Sequence, residues 1–218
     1  MAIDGPAGAG KSTLARRVAY KLGFLYIDTG AMYRAVALWA TQLNVAYSDM
    51  HRLEQLAEQA VIDFVAGANT ILLNGQDVTA EIREPGMGDA ASKVSQVPAV
   101  RRALVKRQRE LGLQESVVME GRDIGTIVFP EADVKIFLDA DPGARTERRA
   151  LEMDVPPEAI ASELQERDYR DRTRAEAPLV QAPDAIYVDT TGLTIDEVEE
   201  ALLKIIRERT SNGKERTH

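Results

Sequence analysis

The chain of 218 residues contains no cysteine. Disulfides and thiolate metal centres are therefore excluded, and nothing calls for an oxidising compartment. Long apolar runs are missing as well. No stretch approaches the ~20 residues of a membrane-crossing helix, and the N-terminal segment has no basic region followed by an apolar one. Positive charge is in deficit: 27 Lys and Arg stand against 35 Asp and Glu, for a net charge of -8. That balance excludes the broad basic surface of a general nucleic-acid binder, so any anionic ligand has to be caught locally. No internal repeat, low-complexity tract or interdomain linker interrupts the chain. With 44% hydrophobic and 28% charged residues the composition supports one substantial core. The expectation is a cytoplasmic protein with a single domain over residues 1–218, binding neither membrane nor nucleic acid.

What is present is alternation. Short runs rich in β-branched and aromatic residues, at 24–27, 117–119, 134–138 and 185–188, read as strands. Helical periodicity fills the gaps. Leu14, Ala15, Val18, Ala19 and Leu22 share one face of a first helix, which Gly23 stops. A last helix begins at the capping box Thr194 to Glu197 and carries Val198, Leu202, Ile205 and Ile206. Such βαβ order predicts a parallel sheet with helices on both faces. Two segments break the rhythm. Residues 61–84 read as short strands joined by Gly/Asn turns, and residues 142–174 as an Arg/Glu-rich helical pair broken at Pro156-Pro157. The polar tail after Thr210 is expected to fray.

One motif carries chemistry by itself. Gly5 to Thr13, GPAGAGKST, lies between a strand end at Ile3 and a helix start near Lys11, the setting that a phosphate-binding loop requires. Gly5, Pro6, Ala7, Gly8, Ala9 and Gly10 are small or compact enough for successive N–H groups to close on phosphate oxygens. The helix N-terminus adds positive potential with Ser12 and Thr13 in its first turn. Lys11 reaches the terminal phosphates and Ser12 binds magnesium. Only three residues precede Asp4, so the first strand is short or the chain is trimmed.

A triphosphate site serves a switch GTPase, a motor ATPase or a small-molecule kinase. The Asn-Lys-x-Asp element of guanine recognition is missing, and the single Asp-x-x-Gly, at Asp189, comes too late to be a switch. Large ATPases carry more chain. A kinase must bring two polyanions together, which calls for converging arginines and a closing segment. Arg167, Arg170, Asp171 and Arg174 recur at i, i+3, i+4 and i+7, and Arg145, Arg148 and Arg149 lie one helix earlier. A solvated helix held by i, i+4 pairs is the competing reading of that charge. Further candidates sit at strand ends, where open parallel sheets place ligands. They are Asp28, Thr29, Tyr33 and Arg34 after the second strand, and Arg122 and Asp123 in the Glu-Gly-Arg-Asp stretch after the third. An internal Arg122–Asp123 ion pair remains an alternative there. In the arginine-rich helix over 97–111 most charges are expected to be solvated.

Four separated stretches, IDGPAGAGKST, DTGAMYRAVAL, GRDIGTIVFPEADVKIFLDA and RDYRDRTRAEAPL, resemble bacterial cytidylate kinases, in order and over nearly the whole chain. The resemblance implies a P-loop three-layer α/β/α fold with a parallel β-sheet core, a small β-rich nucleotide-binding insert at about 61–90 and a helical lid at about 142–166. It implies ATP as donor, CMP or dCMP as acceptor, Mg2+ as cofactor and a monomeric enzyme. Arg34, Arg122 and Arg174 would hold the acceptor phosphate; Ser92, Arg101 and Asp123 would read cytosine; Arg167 and Asp171 would meet the ribose; Thr29 and Tyr33 would complete that site. Lys11, Arg122 and Arg174 would be catalytic, and lid arginines near 145–149 would approach the transferring group. Asp28 would hold a magnesium-bound water. The lid sequence looks shorter than the family's. A kinase for another small acceptor, such as a different nucleotide or shikimate, and a non-catalytic ATP-binding regulator are the remaining alternatives.

Overall fold

A computed structural model describes residues 1–65 and 70–214, the last four of these by backbone alone. Five parallel strands form the central sheet: β1 (Ala2–Asp4), β2 (Leu25–Asp28), β6 (Val117–Gly121), β7 (Lys135–Asp139) and β8 (Ile186–Asp189), in the order β2-β6-β1-β7-β8. Register runs Ile3 against Glu120 on one side and Ile136 on the other, and Asp28 against Glu120. The C-terminal ends of β1, β2 and β6 therefore reach one edge together, and each ends in a functional stretch.

Side chains alternate across the sheet and bury opposite faces. Ile3, Val118, Ile136 and Leu138 pack against Leu14 and Val18 of α1 (Lys11–Leu22) and Val198, Leu202 and Ile206 of α8 (Ile195–Lys214). Ala2, Ile27, Val117 and Met119 face the other way, towards Val105 and Leu111 of α5 (Pro98–Gln114). The three-layer α/β/α architecture expected from the sequence is the one observed.

Local signals fix the ends of these helices. Gly23 closes α1 with φ 66, the left-handed cap that glycine takes at little cost. Thr194 and Glu197 exchange hydrogen bonds before α8, the Thr194 N–H donating to the Glu197 carboxylate at 2.8 Å. The helix then runs to Lys214, past the point after Thr210 where fraying was expected, and residues 215–218 lie outside the described residues.

A second core lies beside the sheet. It joins α2 (Thr29–Gln42) and α3 (Met50–Gln59) to an antiparallel sheet of β3 (Ile62–Phe64), β4 (Ile71–Leu73) and β5 (Gln76–Asp77), and to α4 (Met87–Val94). Of the β-rich stretch read in the sequence, residues 66–69 lie outside the described residues. Further along the chain, α6 (Pro142–Met153) and α7 (Pro157–Thr173) pack on each other as the helical pair broken at Pro156.

Candidate active site

The loop after β1 is shaped by what it touches. Gly5 has φ 150, and a Cβ there would lie 1.9 Å from the Leu138 carbonyl oxygen, so the chain leaves the strand pressed against β7. Gly10 is the left-handed N-cap of α1 and supplies no side-chain acceptor, which leaves the N–H groups of the first turn for a ligand. Ala7, Gly8, Gly10, Lys11, Ser12 and Thr13 line a cleft of about 720 Å³. The other three loop residues do not. Gly5 backs on Leu138, Ala9 is buried in the core, and Pro6 offers its carbonyl to the Lys11 ammonium at 2.6 Å. Burial and then the nearby Arg122 charge push the Lys11 pKa down to about 7, a state that an incoming polyanion would relieve.

The far end of the cleft is cationic. All ten residues assigned above to the acceptor line it: Thr29, Tyr33, Arg34, Ser92, Arg101, Arg122, Asp123, Arg167, Asp171 and Arg174. They arrive from α2, α4, α5, the turn after β6, and α7 with the residue that follows it, so the sheet edge and the helical flanks converge on one space. Arg34 is oriented by Asp28, which accepts from it at 2.8 Å while capping α2 through the Ala31 N–H. Burial works against the Asp28 charge, but Arg34, the Ala31 N–H and Lys11 together outweigh it and hold the carboxyl below its usual range. Arg122 does not pair with Asp123. Its Nε donates to Asp171 at 2.8 Å, and burial of Asp171 is outweighed by Arg122, Arg167 and Arg174, which keep it ionised. Asp123 is bound instead to Arg101, with Arg174 Nη2 3.6 Å away.

Several cleft groups have no protein partner. Among the described residues the Ser92 hydroxyl and the Nε atoms of Arg34, Arg101 and Arg167 are buried without one. Burial, followed by repulsion from Arg122, lowers the Arg167 pKa to about 10. Buried donors left unpaired are costly, so such a cluster is what a bound anion with polar substituents would satisfy.

Some expectations need correction. The four α7 positions do not act as one face: Arg174 lies just beyond the helix end, donating to the Ala177 carbonyl, and Arg170 turns to Asp89 on α4 at 2.5 Å. Arg148 donates to Thr190 through both terminal nitrogens, and Arg145 is buried against the Ala7 carbonyl and Asp168. Of the three arginines on α6 only Arg149, paired with Glu152, faces the cleft. The Thr29 hydroxyl is committed to the Glu120 carbonyl at 2.7 Å. Arg101 is buried, in contrast to the solvated helix charge expected for its neighbours.

Glu120 is the site residue that sequence reasoning left without a role. It is the penultimate residue of β6, beside Ser12 and Lys11, accepts from the Tyr26 hydroxyl at 2.6 Å, and has its pKa raised by burial and by Asp28. Its position near the end of a strand next to the loop strand was the available signal. Among the described residues no three His, Cys, Asp or Glu side chains cluster as an all-protein metal cage. Magnesium does not need one, since it keeps waters and takes one or two carboxylates with substrate phosphates. The Ser12 hydroxyl with the carboxylates of Asp28 and Glu120 on the same cleft wall fits that chemistry.

Known proteins give the same picture. The profile of the cytidylate kinase family matches residues 1–208. A protein named cytidylate kinase from Solibacter usitatus is 60% identical over 99% of this chain and 95% of its own length. One of the same name from Desulforamulus reducens is 49% identical over 93% and 94% of the two chains. A solved structure of an uncharacterised protein from Eubacterium ventriosum shares the fold, with a TM-score of 0.53 at 12% identity over 94% of this chain and 96% of that one. The chain belongs to the cytidylate kinase family of nucleoside monophosphate kinases, which phosphorylate CMP and dCMP with ATP.

Proposed function

We propose that this chain transfers the terminal phosphoryl group of ATP to CMP or dCMP, with Lys11 and the phosphate loop on the donor and Arg34, Arg122 and Arg174 on the acceptor phosphate. The observation that carries this reading is the pairing of two anion-receiving ends in one cleft: main-chain N–H groups with Lys11 at one, and partly unpaired guanidinium groups at the other. Arg101, Asp123 and Ser92 read the base. Cytosine presents an N4 amino donor beside N3 and O2 acceptors, which complement a carboxylate with guanidinium and hydroxyl donors. Uracil puts an acceptor where N4 was and would leave Asp123 opposed by an oxygen. Arg167 and Asp171 take the ribose.

No covalent intermediate or strong general base is needed, because the attacking phosphate oxygen of the acceptor is already ionised. The work left to the chain is to align that oxygen with the donor, to neutralise charge with Lys11 and the arginines, and to exclude water under α6 and α7 as a lid. Bound magnesium, held by Ser12 and through water by Asp28, with Glu120 beside them, would supply charge neutralisation on the donor phosphates. The reading takes the enzyme to act as a monomer in the cytoplasm.

A coupled assay of ADP release with CMP, dCMP, UMP, AMP and shikimate as acceptors tests the reading. CMP and dCMP are expected to have the highest kcat/KM. Preference for AMP or shikimate would replace the acceptor assignment, and ATP binding without any transfer would replace the enzyme by a nucleotide-binding regulator.

A further inference from the structure

The two halves of the cleft are joined by a residue that touches neither ligand end. Asp4 is the last residue of β1, immediately before the phosphate loop, and is 4% exposed. Its two carboxylate oxygens accept separate backbone donors: Oδ1 takes the Ile124 N–H at 2.8 Å and Oδ2 the Gly125 N–H at 2.7 Å. Those are the two peptide units that follow Asp123. Here the chain leaves β6 and enters a single π-helical turn, Ile124–Val128, an element whose wide backbone hydrogen bonds leave its opening amides in need of an outside acceptor. The far end of the turn is held by Arg109, which donates to the carbonyls of Ile127 and Val128 at 2.6 and 3.0 Å.

We propose that Asp4 is a positioning residue for base discrimination: by gripping the Ile124 and Gly125 amides it sets the direction of the Asp123 side chain relative to the phosphate loop. The geometry accounts for the residue types involved. The two N–H donors meet two different oxygens, which a carboxylate supplies, whereas an asparagine side chain would set its own NH2 donor against one of them. Position 125 must leave the carboxylate room, and a Cβ there would come 3.3 Å from Asp4 Oδ2 and 3.2 Å from the Lys135 side chain. The site also carries a cost that calls for a return, since Asp4 is a buried charge close to another carboxylate, Asp123. Packing β1 alone would be served by an apolar residue in that position. The peptide after Asp123 is fixed by Asp4 while Asp123 itself is bound by Arg101 and approached by Arg174, so carboxylate and guanidinium groups are held from opposite sides.

The inference rests on the reading that Asp123 meets the base, and its test separates the two. Steady-state kinetics with CMP and with UMP are to be measured for Asp4→Asn, Gly125→Ala and Asp123→Ala, with thermal unfolding as the check on folding. Asp4→Asn keeps one acceptor and loses the other; Gly125→Ala disturbs the same contact from the opposite side without altering Asp4. Both are expected to lower the ratio of kcat/KM for CMP over UMP by about tenfold, through KM for the acceptor, with KM for ATP within about twofold of the unmodified enzyme. A general loosening of the fold would not alter that ratio selectively. If Asp123→Ala erodes the ratio while both other variants keep it, Asp4 does not position the reader and the inference fails. If Asp123→Ala keeps the ratio as well, the base is read elsewhere, and the base-reading assignment falls together with the inference built on it.

Discussion

Arg122, the residue after β6, donates through Nε to Oδ2 of Asp171 on α7 at 2.8 Å. One carboxylate thereby holds a guanidinium from the sheet edge, with Arg167 and Arg174 also acting on it. Without Asp171 these three cations face each other in a buried cleft. Asp171→Ala is therefore expected to raise KM for CMP by about thirtyfold or more, since removing one partner of a buried, hydrogen-bonded charge pair costs at least about 2 kcal/mol. Inorganic phosphate should restore much of the thermal stability that the variant loses, because an anion can replace the missing charge. Unchanged KM in steady-state kinetics would mean that Arg122 is oriented without Asp171.

Lys11 tests the donor end. Its ammonium rests on the Pro6 carbonyl, within the loop itself, so its removal takes away no long-range contact. Lys11→Ala is expected to lower kcat by about 10²–10³, the scale for losing one preorganised group that meets developing charge. The circular dichroism spectrum should be retained. Near-normal turnover would remove the loop lysine from the mechanism.

These sites differ in how far the sequence could reveal them. The strand–loop–helix around Lys11 was legible because its geometry is local: glycine and small residues at fixed spacing, a lysine, and a strand and helix on either side. The parallel sheet was legible from alternating strand and helix patterns, and the caps at Gly23 and Thr194 from residue type alone. Arg170 was not. Its spacing puts it in the same helical set as Arg167 and Asp171, and the partner that turns it aside, Asp89, lies 81 residues earlier. Glu120 stood in a quoted motif, yet its partner Tyr26 is on another strand and its neighbour Ser12 on α1. Arg148 was misplaced for the same reason, since Thr190 lies on the far side of β8. Backbone requirements show in spacing; side-chain destinations depend on contacts that only the fold makes.

The divergence of neighbouring α7 arginines gives a direct comparison. Among the described residues both have a buried Nε without a hydrogen-bond partner, but Arg167 lines the cleft, whereas Arg170 is paired through Nη2 with Asp89 and does not line it. Arg167→Ala is expected to raise KM for CMP more than about tenfold, as loss of a charge-assisted contact to substrate does. Arg170→Ala removes a partly exposed bridge between α7 and α4, and a change within about threefold is expected. Equal effects would show that helix register does not separate the two residues in the enzyme as it works.

Asp4 makes stability depend on pH in a direction opposite to most carboxylates. Burial raises its pKa from 3.8 to about 6; two backbone hydrogen bonds and Lys11 work against that rise, and Asp123 adds to it. The folded chain therefore holds this proton more tightly than the unfolded chain. The contribution is fully present below pH 3.8 and is lost as pH rises through about 6. A shift of that size corresponds to about 3 kcal/mol at 1.36 kcal/mol per pKa unit. Asp4→Asn cannot titrate there. Urea unfolding of both proteins at a series of pH values should show the stability of the unmodified chain falling relative to the variant between about pH 4 and pH 6.5, then running parallel to it. A difference that stayed constant across that window would mean that Asp4 is ionised throughout, with its two amide donors sufficient to offset the burial of its charge.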